Sequence, residues 1–275
     1  MKDVKLEYAL KNGKLVSIYE VEKGLDCGCI CPHCKEPLIA KQGACREFHF
    51  AHLSGNICEL GYQKSIHLLA IKILNECKEI TLPSVPLPIK FSNHTFSVID
   101  KTHVKIDHIE TEKKVNDIIP DLIAYINGRP LLIEICVTHK VDSNKLRKIQ
   151  NSNLPAIEIK LSQNKSILSE EEFKKLLIYE THNKLWLNNP KANKYYEKFI
   201  KASEKLPLYS IDDITHAKNC PKQIRYIENE YYANLYRDCV NCKYSLGFDA
   251  GNVYCNYNTK LFSIEDVNKK LEESC

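Results

Sequence analysis

Apolar residues alternate with others from Val4 to Leu10 and return from Leu15 to Val21, with Asn12-Gly13 between them, so residues 3 to 22 read as a small hairpin. Beyond Gly61 the period changes. Ile66, Leu69, Ile73 and Leu74 fall near a helical repeat running to about Lys78, and Pro83, Pro86 and Pro88 then impose extended chain. The pattern predicts a core sheet over 89 to 161, with strands at 89–91, 96–99, 104–109, 118–126, 131–138 and 156–161. A helix at 143–151 between the last two strands favours a crossover and therefore a mixed sheet. Ser169 and Glu172 form a capping-box pair ahead of Phe173, Leu176 and Leu177, helical chain continues to about Lys205, and a last helix is expected after Ser263. The expected segments are a hairpin with a metal knuckle (1–58), a core (59–168), a helical connector (169–205) and a four-cysteine module (206–275). The fold class is α+β or α/β, a mixed sheet flanked by helices.

Within the sheet region, two apolar runs each carry one carboxylate. Ile118-Ile-Pro-Asp121-Leu-Ile-Ala-Tyr-Ile126 is followed by Asn127-Gly128 and then by Arg129-Pro-Leu-Leu-Ile-Glu134-Ile-Cys-Val-Thr-His139. Asn-Gly between β-rich runs is a strong hairpin signal, and a turn centred there sets Tyr125 near Pro130 and brings Asp121 and Glu134 to one end. Two acids emerging from apolar strands need compensation by a cation or by donors. The plainer alternative is a turn cap at Asp121 and an edge-strand surface residue at Glu134, but Ile133 and Ile135 flank Glu134 in a run that reads as covered on both faces. Downstream, Lys140, Lys145, Arg147 and Lys148 place basic residues beside the pair, as phosphodiester chemistry requires, with Lys145 and Lys148 on one helix face.

Composition narrows the field. The chain has 275 residues, a formal charge of +4 and 13 cysteines. Charges interrupt the apolar residues of the amino terminus, and no run approaches the roughly 20 apolar residues of a membrane helix, so the expectation is a soluble, cytoplasmic protein. In a reducing compartment, clustered cysteines point to metal rather than disulfides. Cys31-Pro-His-Cys34, a linker of 14 residues and His49-Phe-Ala-His52 fit a zinc site of two thiolates and two imidazoles, with Cys27, Cys29 and Cys58 near enough to substitute. Cys220, Cys239, Cys242 and Cys255, with gaps of 18, 2 and 12 residues, form a four-thiolate set for zinc, or secondarily for an iron–sulfur cluster. A redox reading of Cys31-Pro-His-Cys34 lacks the thioredoxin-like strand–helix setting. From Lys184 to Lys205, lysines interleave with Trp186, Tyr195, Tyr196 and Phe199, which suits either nucleic acid or a solvated helix burying an aromatic stripe.

Taken together, Cys27-Gly-Cys-Ile-Cys-Pro-His-Cys34, Ile39-Ala-Lys-Gln-Gly43, His49-Phe-Ala-His52, His67, Pro120-Asp121, Leu131-Leu-Ile-Glu134-Ile-Cys-Val-Thr-His139, Asp142, Lys145 and Glu158-Ile159 resemble the competence protein CoiA-like family. The resemblance is dense from Gly24 to Ser162. It implies an amino-terminal zinc knuckle joined to a PD-(D/E)XK nuclease-like domain with a restriction-endonuclease-like core. Asp121 and Glu134 would then hold Mg²⁺ or Mn²⁺, with His139 and Lys145 assisting catalysis and Gln63, His67 and Lys72 as accessories on the first helix. Three departures stand out: Cys136 occupies the motif lysine's place, Gln63 and Ile71 replace a glutamate and a lysine, and Lys160 stands where an acid is common.

The expected function is metal-dependent DNA endonuclease or nickase activity, with DNA preferred over RNA, Lys140, Arg147 and Lys148 on the phosphates, and no membrane partner. The alternative is a DNA-binding or recombination-accessory protein that keeps the fold without the chemistry.

Overall fold

Five strands, β1 (His108–Thr111), β2 (Leu122–Ile126), β3 (Arg129–Cys136), β4 (Ala156–Lys160) and β5 (Lys184–Asn188), lie side by side in that order. They belong to a computed structural model that describes residues 6–44, 47–56, 58–89, 93, 96–138, 140–161 and 169–273. Asn127 and Gly128 take φ of 49° and 70°, as a two-residue hairpin turn requires, and Tyr125 pairs with Pro130. β1, β2 and β3 are antiparallel, whereas β4 runs parallel to β3 and therefore needs the crossover helix α2 (Ser143–Asn151).

Both faces of this sheet are covered. Leu122, Ala124, Leu131, Ile133, Ile135, Ile157 and Ile159 pack with Leu69, Ile73 and Leu74 of α1 (Glu59–Cys77) and with Phe173 and Leu177 of α3 (Glu170–Ile178). The alternate positions Ile123, Leu132 and Ala156 pack instead with Ile149 of α2. Two-sided burial explains why β2 and β3 read as nearly continuous apolar runs. Asp142 caps α2, its side chain accepting from the amides of Asn144 and Lys145.

The chain divides into two compact units, Met1–Pro83 with Thr102–Asn188, and Ser84–Lys101 with Asn189–Cys275. This division cuts across the four segments expected from the sequence. Val85–Pro86 pairs with Ser97–Ile99 inside the second unit, so the strand expected at 96–99 is not part of the core sheet; Lys90 and Phe91 of the other early strand lie outside the described residues. The strand expected at 104–109 is two strands. Thr102–Lys105 pairs with Glu79–Leu82, and β1 starts after Asp107, whose carboxylate accepts from Gly128 at 2.8 Å and fixes the corner at the hairpin turn. Helical connector was expected at Lys184–Asn188, yet β5 pairs with β4 there, because Leu185 to Leu187 extend the sheet's apolar surface and Asn188 Nδ2 satisfies the Leu154 carbonyl at 2.8 Å.

The second unit contains α4 (Pro190–Ala202), six antiparallel strands and α5 (Ile264–Glu272). Its strands are β6 (Glu204–Ile211), β7 (Ile214–Lys218), β8 (Arg225–Ile227), β9 (Glu230–Asn234), β10 (Ser245–Phe248) and β11 (Asn252–Cys255), in spatial order β8-β9-β7-β6-β11-β10. Asn189 caps α4 ahead of Pro190, Phe199 is fully buried, and Lys191, Lys194, Lys198 and Lys201 are exposed. The lysine-and-aromatic segment is thus an amphipathic helix with a solvated basic face. Among the described residues no helix is long and apolar enough to cross a membrane.

Candidate functional site

Strand register builds the acidic site. Leu122 pairs with Ile133, so the next step of the antiparallel ladder sets Asp121 opposite Glu134, and the parallel ladder sets Glu134 beside Glu158. Three carboxylates from neighbouring strands therefore form one row at the α2 end of the sheet. Glu134 and Glu158 are 5% and 2% exposed, so their charges demand partners. Lys145, half-buried in the first turn of α2, places Nζ 2.7 Å from Glu134 Oε2. Asp121 Oδ1 lies 3.1 Å from His67 Nε2, and Asp121 Oδ2 accepts from the Ile135 amide at 2.7 Å. Val141 N–H donates to Glu158 Oε1 at 3.1 Å. Glu134 Oε1 and His67 Nδ1 are buried with no hydrogen-bond partner in the structure.

These environments push the two acids apart. Burial opposes the charge on Asp121, but His67 and the Ile135 amide outweigh it and hold the carboxyl below its ordinary value. Burial raises Glu134 to about 7, with further push from Asp121 and Glu158 and an opposing pull from Lys145. A carboxyl titrating near 7 in the fold and near 4.5 when unfolded makes the native state the better proton binder between those values. Stability therefore falls as pH rises through that window, by about 3 kcal/mol at most. In Mg²⁺-free buffer, denaturant midpoints of the parental chain relative to Glu134→Gln are expected to fall between pH 4.5 and 8. A difference that stays flat with pH would show that Lys145 keeps Glu134 ionised throughout.

The other residues singled out in the sequence fall into place around this row. Gln63 Oε1 accepts from Thr138 Oγ1 at 2.8 Å, tying α1 to the end of β3. Lys72 lies one and a half turns past His67, half-buried, and among the described residues has no hydrogen bond or ion pair with either acid. Lys140, Arg147 and Lys148 are exposed, with Arg147 donating to Asn144 at 3.2 Å. His139 lies outside the described residues. Cys136 is 5% exposed and pairs in register with Lys160. Glu158 is the acid the site residues expected from sequence omitted. The signal was present, since Ile157 and Ile159 flank it as Ile133 and Ile135 flank Glu134.

Forty residues upstream of His67 begins the cysteine-rich module. Cys31 Sγ, Cys34 Sγ, His52 and Cys58 Sγ bring one ligand atom each to within 4.8 Å of one another. Cys34 Sγ lies 3.3 Å from His52 Nε2. Amides of His33 and Cys34 point at Cys31 Sγ, and the Glu36 amide points at Cys34 Sγ, which it holds below its ordinary thiol value. Three thiolates and one imidazole at such separations suit tetrahedral zinc, which would draw sulfurs to about 2.3 Å.

This set corrects the expected ligands. His49 is replaced by Cys58, because His49–His52 is a strand, and residues three apart on a strand face opposite sides. His49 Nδ1 instead meets the Glu47 carbonyl at 2.9 Å. Cys27 and Cys29 direct their thiols to the carbonyls of Leu38 and Cys27 and belong to the module's core. Cys58 is the N-cap residue of α1, and a Cβ on Gly61 in that helix's first turn would stand 2.9 Å from Cys31 Sγ. Gly61→Ala is therefore expected to displace Cys31 and weaken zinc retention by at least about 10-fold in competition with a chromogenic chelator, a size typical of disturbing a metal's supporting shell.

Residues 20–61, which contain all four residues of this cluster and Gly61, match the family model described as Competence protein CoiA, N-terminal domain. No curated protein and no solved structure matches the chain.

Proposed function

We propose that the chain is a Mg²⁺- or Mn²⁺-dependent endonuclease or nickase acting on DNA, with a role related to competence through DNA processing, recombination or phage defence. The observation that carries this reading is Asp121, one step beyond the Leu122–Ile133 pair and bonded to the Ile135 amide, beside Glu134, whose Oε1 is buried and unpartnered. A buried carboxylate oxygen without a donor fits a hard cation held by one or two carboxylates. The order α1, three antiparallel strands, α2 and a parallel strand further supports a restriction-endonuclease-like core.

Asp121 and Glu134 would hold the cation, which supplies charge neutralisation on a phosphate and acidifies a water ligand. Lys145 fixes Glu134 and provides the positive charge that Cys136 cannot. His67 orients Asp121 through Nε2. Exposed Lys140, Arg147 and Lys148 supply phosphate contacts that steer a duplex or single strand without reading its sequence. The zinc module positions rather than reacts. Family resemblance at residues 20–61 supports the competence-related part of the reading, and the acidic site supports the nuclease part.

The test is incubation of the purified chain with supercoiled, linear and single-stranded DNA, with Mg²⁺, with Mn²⁺ and without divalent ions. Nicked or shortened products that require the added ion support the proposal. A second reading, DNA binding without cleavage, is favoured by buried Cys136 where a lysine is expected. Salt-sensitive DNA retention with no product under any ion would establish that reading and overturn the first.

A further inference from the structure

The second unit carries four cysteines that the acidic site and the matched amino-terminal segment do not use. Cys220 follows β7, Cys239 and Cys242 bracket the turn after β9, and Cys255 ends β11. All four line a single cavity of about 20 Å³, whose lining also includes apolar Leu206, Ala233 and Val253 and charged Lys222 and Asp238. Three of them are nearly buried, at 7%, 6% and 7% exposure for Cys220, Cys239 and Cys255, and none is in a disulfide. Chance placement of apolar cysteines in a core would not set three of the four at reverse turns. Yet Gln223 N–H returns to the Cys220 carbonyl at 2.9 Å, and Ser245 N–H to that of Cys242 at 2.9 Å. The Tyr257 amide points at Cys255 Sγ.

We infer that Cys220, Cys239, Cys242 and Cys255 form a second structural zinc site, independent of the amino-terminal one. Binding would replace four S–H bonds with four Zn–S bonds and release up to four protons to solvent, leaving a site of net charge −2. A cavity with room for about one water-sized sphere accommodates one ion. The sulfurs here stand further apart than in the amino-terminal set, since among the described residues only that set has every ligand atom within 4.8 Å of the others. Zinc would draw them inward.

The site has a structural consequence. β6 lies between β7 and β11 in the sheet, so an ion bound by Cys220 and Cys255 staples two strands that do not touch. The apolar cluster beneath it contains eight buried residues, three of them these cysteines. So small a cluster leaves metal binding a large share of the free energy that orders this end of the unit, while Phe199, Leu246, Leu261 and Val267 form a separate cluster within it.

Elemental analysis of the full-length parental chain, purified without chelator, is expected to give two zinc ions per chain. Cys239→Ser/Cys242→Ser should hold one, and after cobalt exchange its thiolate-to-metal absorption should fall by more than half, because four of the seven thiolate ligands are lost with that site. One zinc in the parental chain overturns the site, and this readout does not depend on whether the variant folds. Retention of two zinc ions by the variant, or iron in place of the second zinc, also overturns it.

Discussion

Glu134→Gln is expected to lower Mg²⁺-dependent DNA cleavage by at least about 10³-fold while the fold survives, because it removes a charged ligand and its electrostatic role at the reacting phosphate. The substitution keeps shape and volume, and Lys145, partly exposed, can turn to solvent. Loss of activity should appear in kcat rather than in DNA affinity, since the phosphate contacts proposed for Lys140, Arg147 and Lys148 remain. Asp121→Asn should behave alike. Variants of the supporting groups should lose less: Lys145→Ala and His67→Ala each leave both carboxylates in place and should cost about 10- to 100-fold, the usual effect of removing a partner that orients a metal ligand. The ordering matters more than any single value. Cleavage by Glu134→Gln at the parental rate would remove the acidic row from the mechanism and leave DNA binding as the better account.

Much of this site was legible because strands have a period of two. Once Asn127-Gly128 fixed the hairpin turn, Asp121 and Glu134 were expected at one end of it, and the observed register runs to Leu122 and Ile133, the residues next to them. Lys145 was legible for a related reason: Asp142 caps α2, so the first helical turn aims its lysine back at the strand end. His67 was less clear. A lone histidine on a helix is more often a core residue than a site residue, and its meeting with Asp121 depends on how α1 lies across the sheet, which no local pattern encodes.

The same period of two misdirected the reading where the secondary structure was not known. His49 and His52 look paired if the chain there is helical or irregular, and only the strand Leu38–Lys41 alongside shows that they diverge. β5 was hidden because Lys184, a buried lysine in its first position, made an edge strand look like the start of a basic helix. The strands expected at 89–91 and 96–99 were assigned to the core sheet, whereas Ser97–Ile99 pairs with Val85–Pro86, and Leu87 and Phe96 pack against Phe199 much further along the chain. In each case the missing information was tertiary.

The sharpest test of the corrected ligand set compares two single substitutions of residues near one ion. Cys58→Ser is expected to lose one zinc equivalent and to open residues 27–58 to protease, because the bound metal contributes free energy on the order of 10 kcal/mol that the small cluster of Leu6, Ala9, Ile18, Leu38 and Phe50 cannot replace. His49→Ala is expected to keep its zinc and its protease resistance, since it loses only a hydrogen bond to the Glu47 carbonyl, worth about 1 kcal/mol. Zinc content and limited proteolysis, measured on both variants beside the parental chain, give opposite answers for the two ligand sets. Metal loss in His49→Ala with retention in Cys58→Ser would restore the two-cysteine, two-histidine site and would mean that the strand His49–His52 rearranges when the ion binds.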